Sequence, residues 1–239
     1  MQRCMGPLAF GGVRMAARSA MIEFHGHPSS KRAAIGAQVA AHLDRVATRI
    51  EAPGVELYYR EAFLSQDECA ALIALIDADR RPSTLFPEDA QADFRTSESC
   101  DLDTWSPLVR TVDARFAELL ALPPANAETL QGQRYGPTQK YGAHHDFFSE
   151  TSAYWKKVSA VGGQRTWTAM AYLNVPEAGG GTNFPRLGIE VQPRVGMVVI
   201  WNNMAADGSP NVATLHEGRP VEAGVKYVVT KWFRENAWG

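Results

Sequence analysis

From Thr129 to the carboxy terminus, apolar residues come in short runs cut at near-regular spacing by Gly and Pro, and that punctuation constrains the fold most. The runs read as strands over 129–135, 141–147, 166–175, 188–192, 197–201, 213–216 and 227–233. Many short strands predict a sandwich or barrel rather than βαβ units. Before Glu128 the periodicity is helical. Ala34, Ile35, Val39, Leu43, Val46 and Ile50 recur at helical spacing and predict a helix from Ser30 that stops before Pro53. A strand is expected over Val55–Tyr59. Ser65 with Glu68 makes a capping-box pattern ahead of the apolar run 71–76, so a second helix starts there. Ser106-Pro107 reads as N-cap and N1 of a third helix that ends by Pro123-Pro124. No repeat or low-complexity segment interrupts the pattern. The expected fold is β-rich (α+β): a double-stranded β-helix, or jelly roll, with supporting amino-terminal helices outside it.

At 239 residues the chain buries enough surface for a core without covalent staples. Hydrophobic residues at 45% and charged residues at 21% exclude a disordered or collagen-like chain. A formal net charge of −2 supplies no basic field for nucleic acid or an anionic membrane. Cys4, Cys69 and Cys100 are odd in number and form no CxxC pair. They fit reduced thiols in a cytoplasmic setting better than a disulfide framework. No apolar run is long enough to span a bilayer. The first twenty residues carry Arg3, Arg14 and Arg18 and no acid, which leaves two readings: a transit-like segment, or a start at Met15 or Met21. Residues 1–28 are therefore expected to be a poorly ordered amino-terminal segment, and 29–239 to form a single domain.

Six histidines are present. His144 and Asp146 lie two apart in an expected strand, on one face and ~6.5–7 Å apart at Cα, close enough to converge on a metal. An H-x-D alone is weak, since chance supplies one in roughly a quarter of such sequences. His216, far downstream, completes a two-His-one-carboxylate set of the kind that suits Fe(II) and leaves coordination positions open. Lys226 follows ten residues later, ~33 Å away along a straight strand. Gly218, Pro220 and Gly224 let the chain turn back and return Lys226 to the same pocket. A buried lysine needs an anion; a solvated one does not.

The run ETLQGQRYGPTQKYGAHHDFF over 128–148 resembles the catalytic core of the prolyl 4-hydroxylases, which are Fe(II)/2-oxoglutarate-dependent dioxygenases. The likeness continues through Gly162-Gly163-Gln164-Arg165, Thr168, Tyr172-Leu173, GGGTNFP over 179–185, Leu215-His216, Lys226 and Lys231-Trp232. It reaches back to Arg95-Thr96-Ser97 and covers about 55–235. The resemblance implies iron at His144, Asp146 and His216. It implies that Lys226, helped by Tyr135 and Thr168, holds the distal carboxylate of 2-oxoglutarate. It places Arg95, Ser97, Glu128, Tyr141 and Trp232 along a groove for a proline-containing peptide or protein. Gly179–Gly181 read as a turn rather than a binding loop.

Prolyl hydroxylation with Fe(II), 2-oxoglutarate and O₂, and with ascorbate as reductant, is thereby implied, with succinate and CO₂ as co-products. Two positions depart from the family. Arg219 stands where a Cys is usual, and Arg234 where a His is common, and both bear on the substrate side. Alternatives stay open: the same chemistry on free proline or another amino acid, nucleic-acid demethylation, which the charge disfavours, or a non-catalytic metal-binding jelly roll. No nucleic-acid or membrane partner is expected. The segment 149–164 and residues 80–94 read as long loops beside the site. The peptide-binding domain and the lumenal retention signal of the animal enzymes are not expected here, and oligomeric state is left open.

Overall fold

The computed structural model describes residues 25–84 and 94–239, so all but 25–28 of the amino-terminal segment expected over 1–28, and most of the 80–94 loop, lie outside the described residues. Helix α1 (Ser30–Val46) starts under the Ser29 hydroxyl, which accepts from the Arg32 amide at 3.3 Å. It ends earlier than its periodicity predicts. Ala47 turns extended, and β1 (Thr48–Ile50) pairs antiparallel with β2 (Leu57–Arg60), so Ile50 belongs to a strand. Helix α2 (Gln66–Asp79) carries the expected capping box: the Glu68 amide donates to Ser65 Oγ and the Ser65 amide to the Glu68 carboxylate. After β3 (Arg81–Pro82) and β4 (Glu98–Asp101) comes α3 (Pro107–Leu120), with Pro at N1 as expected, although the Ser106 side chain makes no cap hydrogen bond.

The remaining chain is strand-rich. It runs β5 (Gln131–Tyr135), β6 (Tyr141–His144), a short α4 (Trp155–Ala160), β7 (Arg165–Tyr172), β8 (Ala178–Gly179), β9 (Thr182–Phe184) and β10 (Ile189–Val191). It closes with β11 (Val198–Asn202), β12 (His216–Gly218), β13 (Val221–Ala223) and β14 (Lys226–Arg234). Where a strand was expected over 213–216, a 3₁₀ turn at Val212–Thr214 precedes β12, so His216 opens a strand instead of ending one. The major sheet runs β1-β2-β11-β7-β14-β5-β4-β3, the minor one β10-β9-β12-β6, and β13 pairs with β8. Every pairing is antiparallel, as the jelly roll requires.

Alternation along the central strands builds two cores. On β7, Trp167, Ala169 and Ala171 face one way and pack with Val39, Leu43, Phe116 and Leu120 of the helices. Met170 and Tyr172 face the other way, toward Tyr135, Phe184, Val199, Trp201 and Val228 between the sheets. The helices thus cover the outer face of the major sheet, and the inner face is left to form the site. Gly132 on β5 permits close approach of α2, since a Cβ there would stand 2.4 Å from Ile76 Cγ1. Cys69 and Cys100 are buried free thiols in the outer core. No helix of the described residues is long and apolar enough to cross a membrane.

Candidate active site

Strands β12 and β6 pair with His216 opposite His144, which sets two imidazoles side by side across the minor sheet. Their ring centroids are 4.3 Å apart. Strand β6 stops at His144, so Asp146 reaches the site from the bend that follows and not by strand alternation as expected. Its carboxylate is aimed by Thr168 on β7, whose hydroxyl donates to Asp146 Oδ2 at 2.8 Å and accepts from Asn203 Nδ2 at 2.9 Å. Asp146 Oδ1 lies 3.7 Å from His144 Nε2, and Oδ2 lies 3.7 Å from His216 Nε2. One ligand atom from each of the three residues falls within 4.8 Å of the others.

Each imidazole is held from behind. His144 Nδ1 sits 2.8 Å from the Gly142 carbonyl, and His216 Nδ1 sits 2.9 Å from that of Thr214. A carbonyl only accepts, so Nδ1 carries the proton and the Nε2 lone pair is presented to the common point. Burial, with the neighbouring His216, holds His144 down to about 3, so its ring is neutral near pH 7. Burial would raise Asp146, but the two histidines, Arg165 and the Thr168 hydroxyl hold it below its ordinary value. Two imidazoles and one carboxylate on one face fit Fe(II) by donor chemistry.

Lys226 begins β14, opposite Tyr135 on β5, and only 2% of its surface is exposed. Glycines carry the chain back from His216 as expected; Gly224 adopts a φ of +78°, which favours a residue without a Cβ. Lys226 Nζ lies 5.3 Å from the Tyr135 ring centre and 5.4 Å from that of Tyr172, and has no acidic partner among the described residues. Burial alone pushes it down to about 7. A buried ammonium without a counter-ion fits an anionic ligand. Tyr135 donates to Gln133 Oε1 at 2.7 Å, and Thr168 is engaged with Asp146. Tyr172, whose hydroxyl donates to Thr182 Oγ1 at 2.7 Å, is the aromatic neighbour that sequence reasoning did not assign to this anchor.

Of the five groove residues implied by the resemblance, Arg95, Tyr141 and Trp232 line a cavity of about 560 Å³ that opens onto His144 and Asp146. Ser97 and Glu128 stand outside that lining. Ser97 Oγ accepts from Arg95 Nε at 3.1 Å. Glu128 takes both forks of Arg165, at 2.6 and 2.7 Å, and also accepts from Arg234 Nε. Burial alone would raise Glu128, but the two guanidinium groups hold it below the carboxylate range. Arg234 therefore lies behind the wall and not on the substrate side, and Arg219, paired with Glu217 at 3.3 Å, does not line the cavity either. Arg165, Phe148, Gln131 and His25 also line it, although sequence reasoning assigned them no site role. Arg165 stacks 4.2 Å over Trp232, whose indole Nε1 has no acceptor among the described residues. From the 149–164 segment, Ser149, Ser152 and Tyr154 reach the cavity, and α4 follows them.

Residues 130–234 match the 2OG-Fe(II) oxygenase superfamily. The chain is 32% identical over 195 residues to prolyl 4-hydroxylase 1 of Arabidopsis thaliana, covering 73% of this chain and 67% of that one. It is 35% identical over 145 residues to the human prolyl 4-hydroxylase subunit alpha-1, covering 59% of this chain and 27% of that subunit. Among solved structures it resembles the viral collagen prolyl hydroxylase of Paramecium Bursaria Chlorella virus-1 in complex with 2OG. That likeness has a TM-score of 0.60 and 26% identity, and covers 74% of this chain and 95% of that one. The chain is a 2OG-Fe(II) oxygenase. Within that superfamily it belongs to the prolyl 4-hydroxylase family.

Proposed function

We propose that this enzyme hydroxylates prolyl residues of a peptide or protein, using Fe(II), 2-oxoglutarate and O₂ and releasing succinate and CO₂. The observation that carries the reading is Lys226, a buried cation without an acidic partner among the described residues, inside the same barrel as the His144–Asp146–His216 face. A metal-binding scaffold has no use for such a lysine. When bound, Fe(II) supplies the oxidising power, drawn from O₂ and the decarboxylation of 2-oxoglutarate. The chain's own residues do the rest. His144, Asp146 and His216 would ligate the metal, and Thr168 holds the Asp146 carboxylate in register. Lys226 would anchor the distal carboxylate, with Tyr135 and Tyr172 closing round it. Arg95, Tyr141 and Trp232 would line the peptide's path, with Ser97 and Glu128 bracing the arginines behind. Ascorbate would serve as reductant, and the cytoplasm as the compartment.

The test is 2-oxoglutarate turnover with Fe(II), with and without proline-rich peptides, followed by mass mapping. The expected result is succinate release stimulated by peptide, with one oxygen atom gained on a prolyl residue. Gain on free proline alone, with every peptide unchanged, would transfer the reading to an amino-acid hydroxylase. His144→Ala and Asp146→Ala should each abolish succinate formation both with and without peptide. Turnover retained in both variants would remove the ligand assignment.

A further inference from the structure

Among the described residues the cavity wall holds three charged side chains besides its histidines: Arg95, Arg165 and Asp146. Asp146 belongs to the metal face, and the charge of Arg165 is answered by the two-pronged contact with Glu128. Arg95 is different. Its Nε donates to Ser97 Oγ at 3.1 Å and its Nη2 to Gln131 Oε1 at 3.2 Å, both neutral acceptors. Its guanidinium lies 4.5 Å over the Tyr141 ring, also neutral. No carboxylate pairs with it among the described residues. These contacts fix the direction of the guanidinium without cancelling its charge, and the remaining donors suffice for one planar two-oxygen group. Half-buried in a cavity wall, that charge acts more strongly than one on open surface.

Its position is set by a stack. The Tyr141 ring lies 3.6 Å from the His144 imidazole, nearly parallel, with Arg95 over the tyrosine. The guanidinium therefore stands one aromatic layer from a metal-facing histidine. An extended peptide advances ~3.3 Å per residue, so a side chain two or three positions from the reacting prolyl reaches that layer. We infer that Arg95 reads a substrate carboxylate, and that the preferred prolyl site carries an aspartate or glutamate two or three residues away. This rests on the prolyl-hydroxylase reading above. Carboxylates of the same chemistry also occur at a peptide's carboxy terminus and on free proline.

The experiment compares peptides that differ at one position, with Glu, Gln or Lys placed two or three residues on either side of a single proline. Two further arms use a peptide ending in a free or amidated terminus at the same distance, and free L-proline. The readouts are kcat/KM and the mapped oxygen gain. Wild-type enzyme should favour Glu over Gln by about tenfold or more, with Lys below Gln, the scale of a charge-assisted contact. In Arg95→Gln the Glu/Gln ratio should fall to within about twofold. Equal use of Glu and Gln by the wild type overturns the inference. A ratio that persists in Arg95→Gln removes the assignment to that residue. A preference confined to the free-terminus or free-proline arms overturns the acidic side chain as the source. If no peptide gains oxygen, the prolyl reading itself fails, a result separate from equal use.

Discussion

Lys226 shows how one residue couples the site to the solvent. Burial lowers it to about 7 from an ordinary value of 10.5, whereas the unfolded chain keeps the ordinary value. Between those two pH values the unfolded chain binds more protons than the folded one. The co-substrate-free protein therefore gains stability as pH rises through the window and loses it as pH falls toward 7. Chemical denaturation at pH 7 and pH 9 should show this rise, and Lys226→Met should flatten it. Binding of 2-oxoglutarate has the opposite sign, because the incoming carboxylate favours the ammonium. Affinity should fall as pH climbs above about 7, and calorimetry in buffers of different ionisation enthalpy should detect proton uptake. Lys226→Met should also raise the KM for 2-oxoglutarate by at least about tenfold, the loss of one charge-assisted contact. An unchanged KM would remove Lys226 from the anchor.

Among the elements, α1 has a task beyond covering the sheet. Arg32 on its first turn is buried and donates to the Gly208 carbonyl, to Glu150 Oε1 at 2.6 Å and to the His27 carbonyl. Glu150 in turn accepts from the His27 amide, and its own amide donates to the His25 carbonyl. Of the amino-terminal segment set apart in the sequence, residues 25–28 are thus tied to the loop that carries Ser149, Ser152 and Tyr154 to the cavity. Arg32→Ala leaves the half-buried Glu150 carboxylate without its cation, which should cost about 1–3 kcal/mol in denaturant unfolding. It should also raise the KM for peptide more than that for 2-oxoglutarate, because the loop borders the cavity and not Lys226. Equal effects on both constants would mean that the strap only stabilises.

For the whole molecule, the two faces of the major sheet divide labour. The outer face, sealed by α1, α2 and α3, carries stability; the inner face carries Lys226 and the approach to the metal. Phe116 on α3 is fully buried in the outer cluster and packs against Phe63 at 4.7 Å between ring centres. Phe116→Ala should cost roughly 3–5 kcal/mol, read as a lower thermal midpoint. At temperatures where the variant stays folded, its KM for 2-oxoglutarate should match the wild type. A matching loss of affinity would show that the two cores are coupled.

The sequence determined the class of fold and the chemistry of the site. Local hydrogen bonds and side-chain periodicity act over a few residues, so the capping box at Ser65 and Glu68, the N1 proline of α3 and the strand periods after Glu128 were legible without tertiary information. So was the grouping of His144, Asp146 and His216, because their spacing and surrounding residues match a family pattern. Tertiary contact decided what local pattern leaves open. The helical period of α1 continues through Ile50, yet pairing with β2 claims Thr48–Ile50, since a strand hydrogen-bonds to a partner that no local window contains. Asp146 leaves its strand and is aimed by Thr168, twenty-two residues on. Ser97 and Glu128 stand behind arginines instead of in the groove, and Arg234 joins them. Side-chain partnership depends on which strands lie adjacent, and that order, from β1 to β3 across the major sheet, exists only once the chain has folded.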